Sequence, residues 1–223
     1  MILFSATKTM NIGDKQEVNL SFKTRELLTI IKSLDIESLA TAFKIKGETL
    51  NKTYNYYENF PLSTLKAIDA YDGISYKQID NKDTEYIKKN VKILSAFYGL
   101  TSSCNLIANY RLDFTTRGLF DFSLYEYWRE DVTSKLIEMD CDILLLTSNE
   151  YTKMIDLKKI TKNVFQVQAK SHSVNLKKMR GMILNYCSVN NINDYQLLEK
   201  VDNDLFFVTE IVNNTIKVEF KWK

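Results

Sequence analysis

Two stretches decide the fold, MILFSATKT at residues 1–9 and DILLLTSNEY at residues 142–151. In each of them a short apolar run, typical of a buried strand, leads directly into a polar segment. A residue just past the end of a buried strand is held rigidly yet faces outward, which is where open α/β sheets collect their ligand groups. We therefore expect Lys8, Glu150 and Tyr151 at one edge of a sheet.

The rest of the chain alternates between helical and strand patterns. The spacing of apolar residues predicts helices at 24–34, 36–43, 50–60, 122–138 and 174–189, a helix capped by Asp83 that runs to Asn90, and strands at 91–97 and 164–169. Leu205 to Ile211 and Ile216 to Phe220 flank Asn213-Asn214, the pattern of a C-terminal β-hairpin. These elements predict an α/β (α+β) fold, a mixed β-sheet flanked by helices. No linker or repeat interrupts the chain, so we expect one domain over residues 1–223.

Composition and charge exclude several classes of protein. The chain of 223 residues is 45% hydrophobic and 26% charged, which is ordinary for a globular protein. No apolar run approaches the roughly 20 residues of a membrane span, and no signal-peptide pattern is present. We therefore expect a cytoplasmic protein with no membrane partner. The net charge is only +2, so a nucleic-acid binder would have to concentrate its cations on one face.

The cysteines and the histidine argue against a metal site. Cys104, Cys141 and Cys187 are widely separated, and His172 is the only histidine. This set lacks the ligand spacing of a zinc or iron–sulfur site. We predict no metal centre and no cofactor, with ordinary reduced thiols and with His172 as a solvated loop residue.

Further polar signatures accompany the two opening stretches. They are YGL at 98–100 with YRLD at 110–113, LYEYW at 124–128, and KKMRG at 177–181. In this order and spacing, the set resembles the peroxide-stress protein YaaA family, whose pattern includes an S-P-A-K-T-like turn, Y-R-L-E-M, L-Y-x-F-W, N-L-A-S-x-E-Y and K-K-A-R-G. The resemblance spans nearly the whole chain.

Departures from the family pattern identify a divergent member. The first turn has Thr7 where the family has a proline, and Ser102-Ser103 replace an Arg-Pro pair. Asn185 stands where the family usually has a basic residue, and Trp222 stands where an arginine is expected.

The resemblance implies a DNA-binding stress protein that protects against hydrogen peroxide and limits intracellular free iron. It also implies a helix-hairpin-helix at about 35–60, where a tight turn would point backbone N–H groups at a phosphate. Gly47 would allow close approach, and Lys44 and Lys46 would add salt-dependent attraction, although Glu48 would also face the phosphates. Such contacts suit double-stranded or branched DNA without sequence specificity. An ordinary helical hairpin packed in the core is the alternative.

Lys177, Lys178 and Arg180 lie in the first half of a predicted helix. Cations there reinforce the positive helix pole, which is unfavourable unless an anion lies nearby. This unfavourable arrangement indicates a site for a phosphate or a carboxylate, and the alternative is a basic helix face exposed to solvent. Trp128 would stack a base if it lined a cleft, but aromatic residues at helical spacing are more often core.

A second hypothesis is an enzyme acting on a small anionic, nucleotide-like molecule in a pocket of Lys8, Arg111, Glu150, Tyr151 and Arg180. Glu150 would be the acid/base, with Lys8 or Arg111 stabilising negative charge. Lys8 is not part of a phosphate-binding P-loop. Arg111 is equally suited to a structural ion pair with Asp113 or Glu150. Glu150 is equally suited to capping a neighbouring helix or pairing with a residue on it. The sequence indicates neither a reaction nor an oligomeric state.

Overall fold

The computed structural model describes residues 1–116 and 118–221. Within these ranges the strands are β1 Ile2–Ser5, β2 Thr64–Lys66, β3 Val91–Ser95, β4 Gly99–Ser102, β5 Leu106–Ala108, β6 Ile143–Leu146, β7 Val164–Ala169, β8 Phe206–Val212 and β9 Thr215–Phe220. The α-helices are α1 Phe22–Lys32, α2 Ile36–Phe43, α3 Gly47–Glu58, α4 Ala67–Ala70, α5 Glu85–Asn90, α6 Leu124–Glu138, α7 Asn149–Thr152 and α8 Ser173–Val189. Trp222, at which the sequence departs from the family pattern, lies outside the described residues.

In the described ranges, a seven-stranded sheet has the order β4-β3-β1-β6-β7-β9-β8. Its inner strands run parallel to one another, and the edge strands β4 and β8 are antiparallel to their neighbours. The side chains of Ile2 to Phe4 and of Ile143 to Leu146 are all buried. Uninterrupted apolar strands of this kind are typical of parallel sheets covered by helices on both faces.

The structure confirms the predicted fold class, a mixed sheet with flanking helices and a C-terminal hairpin. The hairpin turn has the predicted residues, and Asn213 and Asn214 both have positive φ, at 49° and 59°. Positive φ at both turn residues is the geometry that matches the twist of paired strands, and asparagine tolerates it better than most residues. The short antiparallel pair of β2 and β5 was not predicted.

Local capping explains where several helices begin. The side chain of Asp35 accepts the Ser38 N–H and begins α2, as predicted. The prediction for α5 was wrong by one residue, because Thr84 rather than Asp83 accepts the Ile87 N–H. Asp83 instead pairs with Lys66 at 3.1 Å. None of the helices in the described ranges has the length and hydropathy needed to cross a bilayer.

The strand order creates a crevice next to β1. Strand β3 pairs with one side of β1, and β6, which comes later in the chain, pairs with the other side. The connections that leave the carboxyl ends of β1 and β6 therefore diverge. Ligands of open α/β sheets bind in the crevice outside such a switch in strand order.

Candidate anion-binding cleft

The crevice at the carboxyl ends of β1 and β6 opens into a cavity of about 520 Å³. This volume falls in the range of roughly 300–1,000 Å³ that is typical of small-molecule sites. We call this cavity and its lining the cleft. Its charged or phenolic lining side chains include Lys8, Asp113, Glu150, Tyr151, Lys177 and Arg180.

Hydrogen bonds hold the two strand-end turns together. The Ser148 N–H donates to Ser5 Oγ at 3.1 Å, which joins the turn after β6 to the end of β1. The Tyr76 hydroxyl donates to the Ser5 carbonyl oxygen at 3.0 Å. The cleft is therefore built on a supported backbone, and its polar side chains project from well-defined positions.

Two glycines allow close contacts at the rim of the cleft. A Cβ at Gly73 would lie 2.4 Å from the Thr7 side chain, and a Cβ at Gly181 would lie 2.0 Å from the Ser75 carbonyl oxygen. A Cβ at Gly73 would require the Thr7 side chain to shift, whereas at Gly181 the close atom belongs to the backbone, so only glycine permits the packing there. The contact at Gly181 brings α8 against Ser75 and Gln78 and explains the glycine that follows Arg180 in KKMRG.

Lys8 and Asp113 form an ion pair, with Lys8 Nζ 2.7 Å from Asp113 Oδ2. The Asp113 side chain is 14% exposed, and that of Lys8 is 55% exposed. Burial by itself would raise the pKa of Asp113, but hydrogen bonds from Lys8 and Thr115 outweigh it, and the pKa lies below its ordinary value. The pair ties the turn after β1 to the segment that follows β5.

Glu150 lies in the same cleft without an ion-pair partner among the described residues. Burial, and secondarily the negative charge of Asp113, raise its pKa, while Lys8 and Lys153 oppose the shift. Burial also holds the pKa of the neighbouring Tyr151 hydroxyl well above its ordinary value. The cleft thus contains one carboxylate that is stabilised as an anion and one that is biased towards its protonated form.

Arg180 is the half-buried cation of the cleft. Burial lowers the pKa of its guanidinium. Within residues 1–116 and 118–221 it makes no ion pair and no side-chain hydrogen bond. A charge removed from water without a partner is costly, and a bound anion would supply the partner. Lys177, one turn earlier on α8, is exposed and lines the same cleft.

The structure corrects the expected place of Arg111. Its side chain does not line the cleft beside Lys8. The Arg111 carbonyl oxygen accepts the Tyr57 hydroxyl at 2.7 Å, which anchors the backbone there. Lys8, and not Arg111, is the partner of Asp113.

Trp128 is a core residue, which corrects its place among the candidate DNA contacts. It is 1% exposed, and its indole N–H donates to the Ala96 carbonyl oxygen at 2.8 Å. A Cβ at Gly99 would lie 2.6 Å from its ring, so the strand backbone packs directly on the indole. No ring face is left on which a base could stack.

Helices α2 and α3 form the N-terminal helical hairpin, and its lysines lie apart from the cleft lining. Lys44 has a left-handed backbone with φ 54°, Lys46 caps α3 without a side-chain hydrogen bond, and Gly47 has φ 58°. All three residues are exposed. Lys178 is half-buried and is not part of the cleft lining.

The thiols and the histidine have no place in the cleft. Cys187 is buried, and burial raises the pKa of its thiol to about 12. Cys104 and Cys141 are half-buried free thiols, and His172 is exposed at the start of α8. Across the described ranges, no group of three or more His, Cys, Asp or Glu side chains is placed to hold a metal ion.

Part of the cleft was not recognisable from the sequence. Asp72, Gly73 and Ser75 line it, although no motif indicated them. The pair Asp72-Gly73 is a pattern typical of turns, and this was the only local indication of a loop at this position. Its contact with Thr7 joins distant parts of the chain, and such contacts leave no local pattern.

The fold and the cleft define an open α/β protein with a crevice at the switch in strand order, lined by Lys8, Lys177 and Arg180. The family described as peroxide stress protein YaaA matches residues 1–211, and the chain belongs to this family. A UPF0246 protein of Fusobacterium nucleatum is 33% identical over 226 residues, which cover 91% of each chain. A UPF0246 protein of Clostridioides difficile is 30% identical, covering 99% of this chain and 98% of the relative.

Proposed function

We propose that the cleft binds a small anionic molecule of nucleotide-like chemistry. The observation that supports this function best is Arg180, a half-buried guanidinium without a partner among the described residues. A phosphate or carboxylate accepts two parallel hydrogen bonds from a guanidinium, which makes arginine well suited to this role. Lys8 and Lys177 add positive charge around the same cavity.

The cleft also suits acid–base chemistry on its ligand. Glu150 has a raised pKa, and a catalytic acid or base works best when its pKa lies near the operating pH. Lys8 would stabilise negative charge that develops nearby, and Tyr151 would donate a hydrogen bond. We assign no reaction.

A thermal-shift titration tests the binding proposal. Adenosine 5′-monophosphate should raise the melting temperature of the wild type, since a ligand at a hundred times its Kd stabilises the folded state by about 2.7 kcal/mol. Arg180→Gln should remove the shift. Arg25→Gln is the matched control, because Arg25 is exposed on α1 and its side chain makes no hydrogen bond or ion pair with a described residue. Equal shifts in the wild type and Arg180→Gln would contradict the proposal.

We propose DNA as a second ligand, bound at the turn of residues 44–47. The supporting observation is that Lys44 and Lys46 are exposed and make no ion pair with a described residue. The side chain of the N-cap residue Lys46 accepts no hydrogen bond from the first N–H groups of α3, so a phosphate of double-stranded or branched DNA would accept them. Contacts of this kind do not read sequence.

A gel-shift titration over a range of salt concentrations tests the DNA proposal. Replacing Lys44 and Lys46 together with glutamine should weaken binding to all sequences alike and lower the salt slope by about two, since each phosphate contact contributes roughly 0.9. The double variant Lys15→Gln with Lys89→Gln removes the same charge elsewhere and should bind normally. Binding that ignores salt would count against phosphate contacts.

We propose that the protein acts in the cytoplasm and limits intracellular free iron during peroxide stress. The support is the family, whose description names peroxide stress. An indirect effect on iron fits the ligand types of the sequence better than direct binding. Free iron, measured by electron paramagnetic resonance in peroxide-treated cells, should rise when the gene is deleted. An unchanged iron signal would refute this part of the proposal.

A further inference from the structure

A second cavity, of about 1,280 Å³, adjoins the cleft. Ser148, Glu150 and Arg180 belong to the linings of both cavities, so the two spaces meet at these side chains. We call the cleft the inner arm and the second cavity the outer arm. The unpaired guanidinium of Arg180 therefore lies at the junction of an elongated site and not at its end.

The inner arm offers an apolar surface. The half-buried side chains of Ile74 and Tyr151 contribute most of it, and Phe4, Ala6 and Leu146, each at most 6% exposed, complete the lining. A flat apolar ring removed from water by such a surface is stabilised by burial, and an aromatic neighbour adds ring contacts.

The outer arm offers hydrogen-bonding groups. Its lining includes Gln166, Gln168 and Thr209 on the face of β7 and β8. The exposed side-chain amides of Gln166 and Gln168 make no hydrogen bond with any residue in the described ranges. Each amide keeps one acceptor and two donors for a ligand rich in hydroxyl groups.

We propose that the site takes a ligand in which a planar ring and a polar, hydroxyl-bearing group are joined through phosphate. The ring occupies the inner arm, the phosphate pairs with Arg180, and the polar group contacts the glutamines of the outer arm. This inference rests on the proposed binding of an anion in the cleft. Free nucleotide sugars and RNA strands both have this chemistry.

Isothermal titration calorimetry with paired probes tests the inference. ADP-ribose has a ring, phosphates and a distal sugar, whereas adenosine 5′-monophosphate lacks the group for the outer arm. We expect ADP-ribose to bind at least tenfold more tightly than adenosine 5′-monophosphate. Gln168→Ala should weaken the binding of ADP-ribose several-fold and leave adenosine 5′-monophosphate unaffected. Arg180→Gln should weaken both by tenfold or more, and Arg25→Gln neither.

The outcomes separate this inference from the function on which it rests. If both probes bind equally in the wild type, or Gln168→Ala affects them equally, the two-armed site is refuted while anion binding stands. If Arg180→Gln binds both normally, the anion proposal itself fails.

A ten-nucleotide strand of riboadenylate distinguishes the two sources. Tighter binding of the strand than of ADP-ribose, lost in Arg180→Gln and Gln168→Ala, assigns the ligand to nucleic acid. The reverse preference assigns a free nucleotide, and absence of binding by both contradicts the inference.

Discussion

Asp113 and Glu150 show how one cleft shifts two carboxylates in opposite directions. The hydrogen bonds from Lys8 and Thr115 keep Asp113 ionised against the effect of burial. Glu150 is also partly buried but has no ion-pair partner in the described ranges, so burial and the charge of Asp113 raise its pKa. Opposite shifts of neighbouring carboxylates are typical of sites that handle protons or charge.

Glu150→Gln should stabilise the protein at neutral pH. The pKa of Glu150 is higher in the folded state than its ordinary value of 4.5, so the folded state binds more protons and stability falls as pH rises through this window. Glutamine carries no charge in either state, so the variant does not lose this stability as pH rises. Urea unfolding at pH 7 should show a more stable variant, and the difference should vanish near pH 4. A variant that is less stable at pH 7 would contradict the assignment.

Asp113→Asn should have the opposite effect. The folded pKa of Asp113 lies below its ordinary value of 3.8, so its contribution is present above that value and is lost as pH falls through the folded pKa. We expect a loss of about 1.5 kcal/mol at pH 7, the lower end of the range for one hydrogen bond to a charged group. Urea unfolding should show that the loss shrinks below pH 3.8. A loss that is independent of pH would indicate a packing effect instead.

Helix α8 positions Arg180 because it packs at Gly181 directly on the backbone of Ser75. Gly181 makes this contact possible. Sequence patterns predicted α8 at 174–189, within one residue of Ser173–Val189. They did not indicate its partner, because helical spacing reveals a buried face and not the element that covers it.

Gly181→Ala should move α8 away from the cleft. The added Cβ would lie 2.0 Å from the Ser75 carbonyl oxygen, so the helix or the Ser75 backbone must shift. Overpacking of this kind usually destabilises by about 1–3 kcal/mol, and the displaced Arg180 should bind adenosine 5′-monophosphate less tightly. Urea unfolding and calorimetry measure the two effects.

Val189→Ala is the control for this change. Val189 lies on the same helix but is 71% exposed, so its replacement should alter stability by less than about 0.5 kcal/mol. If Gly181→Ala matched this control in stability and affinity, the packing argument would be wrong.

At the scale of the whole molecule, the cations predicted to share one surface separate into two groups. Lys8, Lys177 and Arg180 converge on the cleft, although they come from opposite ends of the chain. Lys44 and Lys46 belong to the N-terminal hairpin and do not line it. The hairpin and the cleft should therefore act independently.

The two surfaces should be separable by mutation. The double variant Lys44→Gln with Lys46→Gln should weaken DNA binding and leave the affinity for adenosine 5′-monophosphate unchanged, whereas Arg180→Gln should weaken nucleotide binding. The two groups share no partner among the described residues, so the effects of the triple variant should add within about 0.5 kcal/mol. Gel shifts and calorimetry on the same preparations check this. A marked loss of nucleotide affinity on changing the hairpin lysines would show that they reach the cleft.

Much of this protein's secondary structure could be predicted from local sequence patterns. The apolar runs at 1–4 and 142–146 mark the strands, and the polar residues after them mark one edge of the sheet, because burial of consecutive side chains is visible in a few neighbouring residues. The asparagine turn and the Asp35 cap are readable for the same reason. The order of the strands, the pairing of Lys8 with Asp113 and the isolation of Arg180 are not local properties. They arise when segments about a hundred residues apart pack together. The residues next to a cation in the sequence therefore do not indicate whether it will have an ion-pair partner in the folded protein.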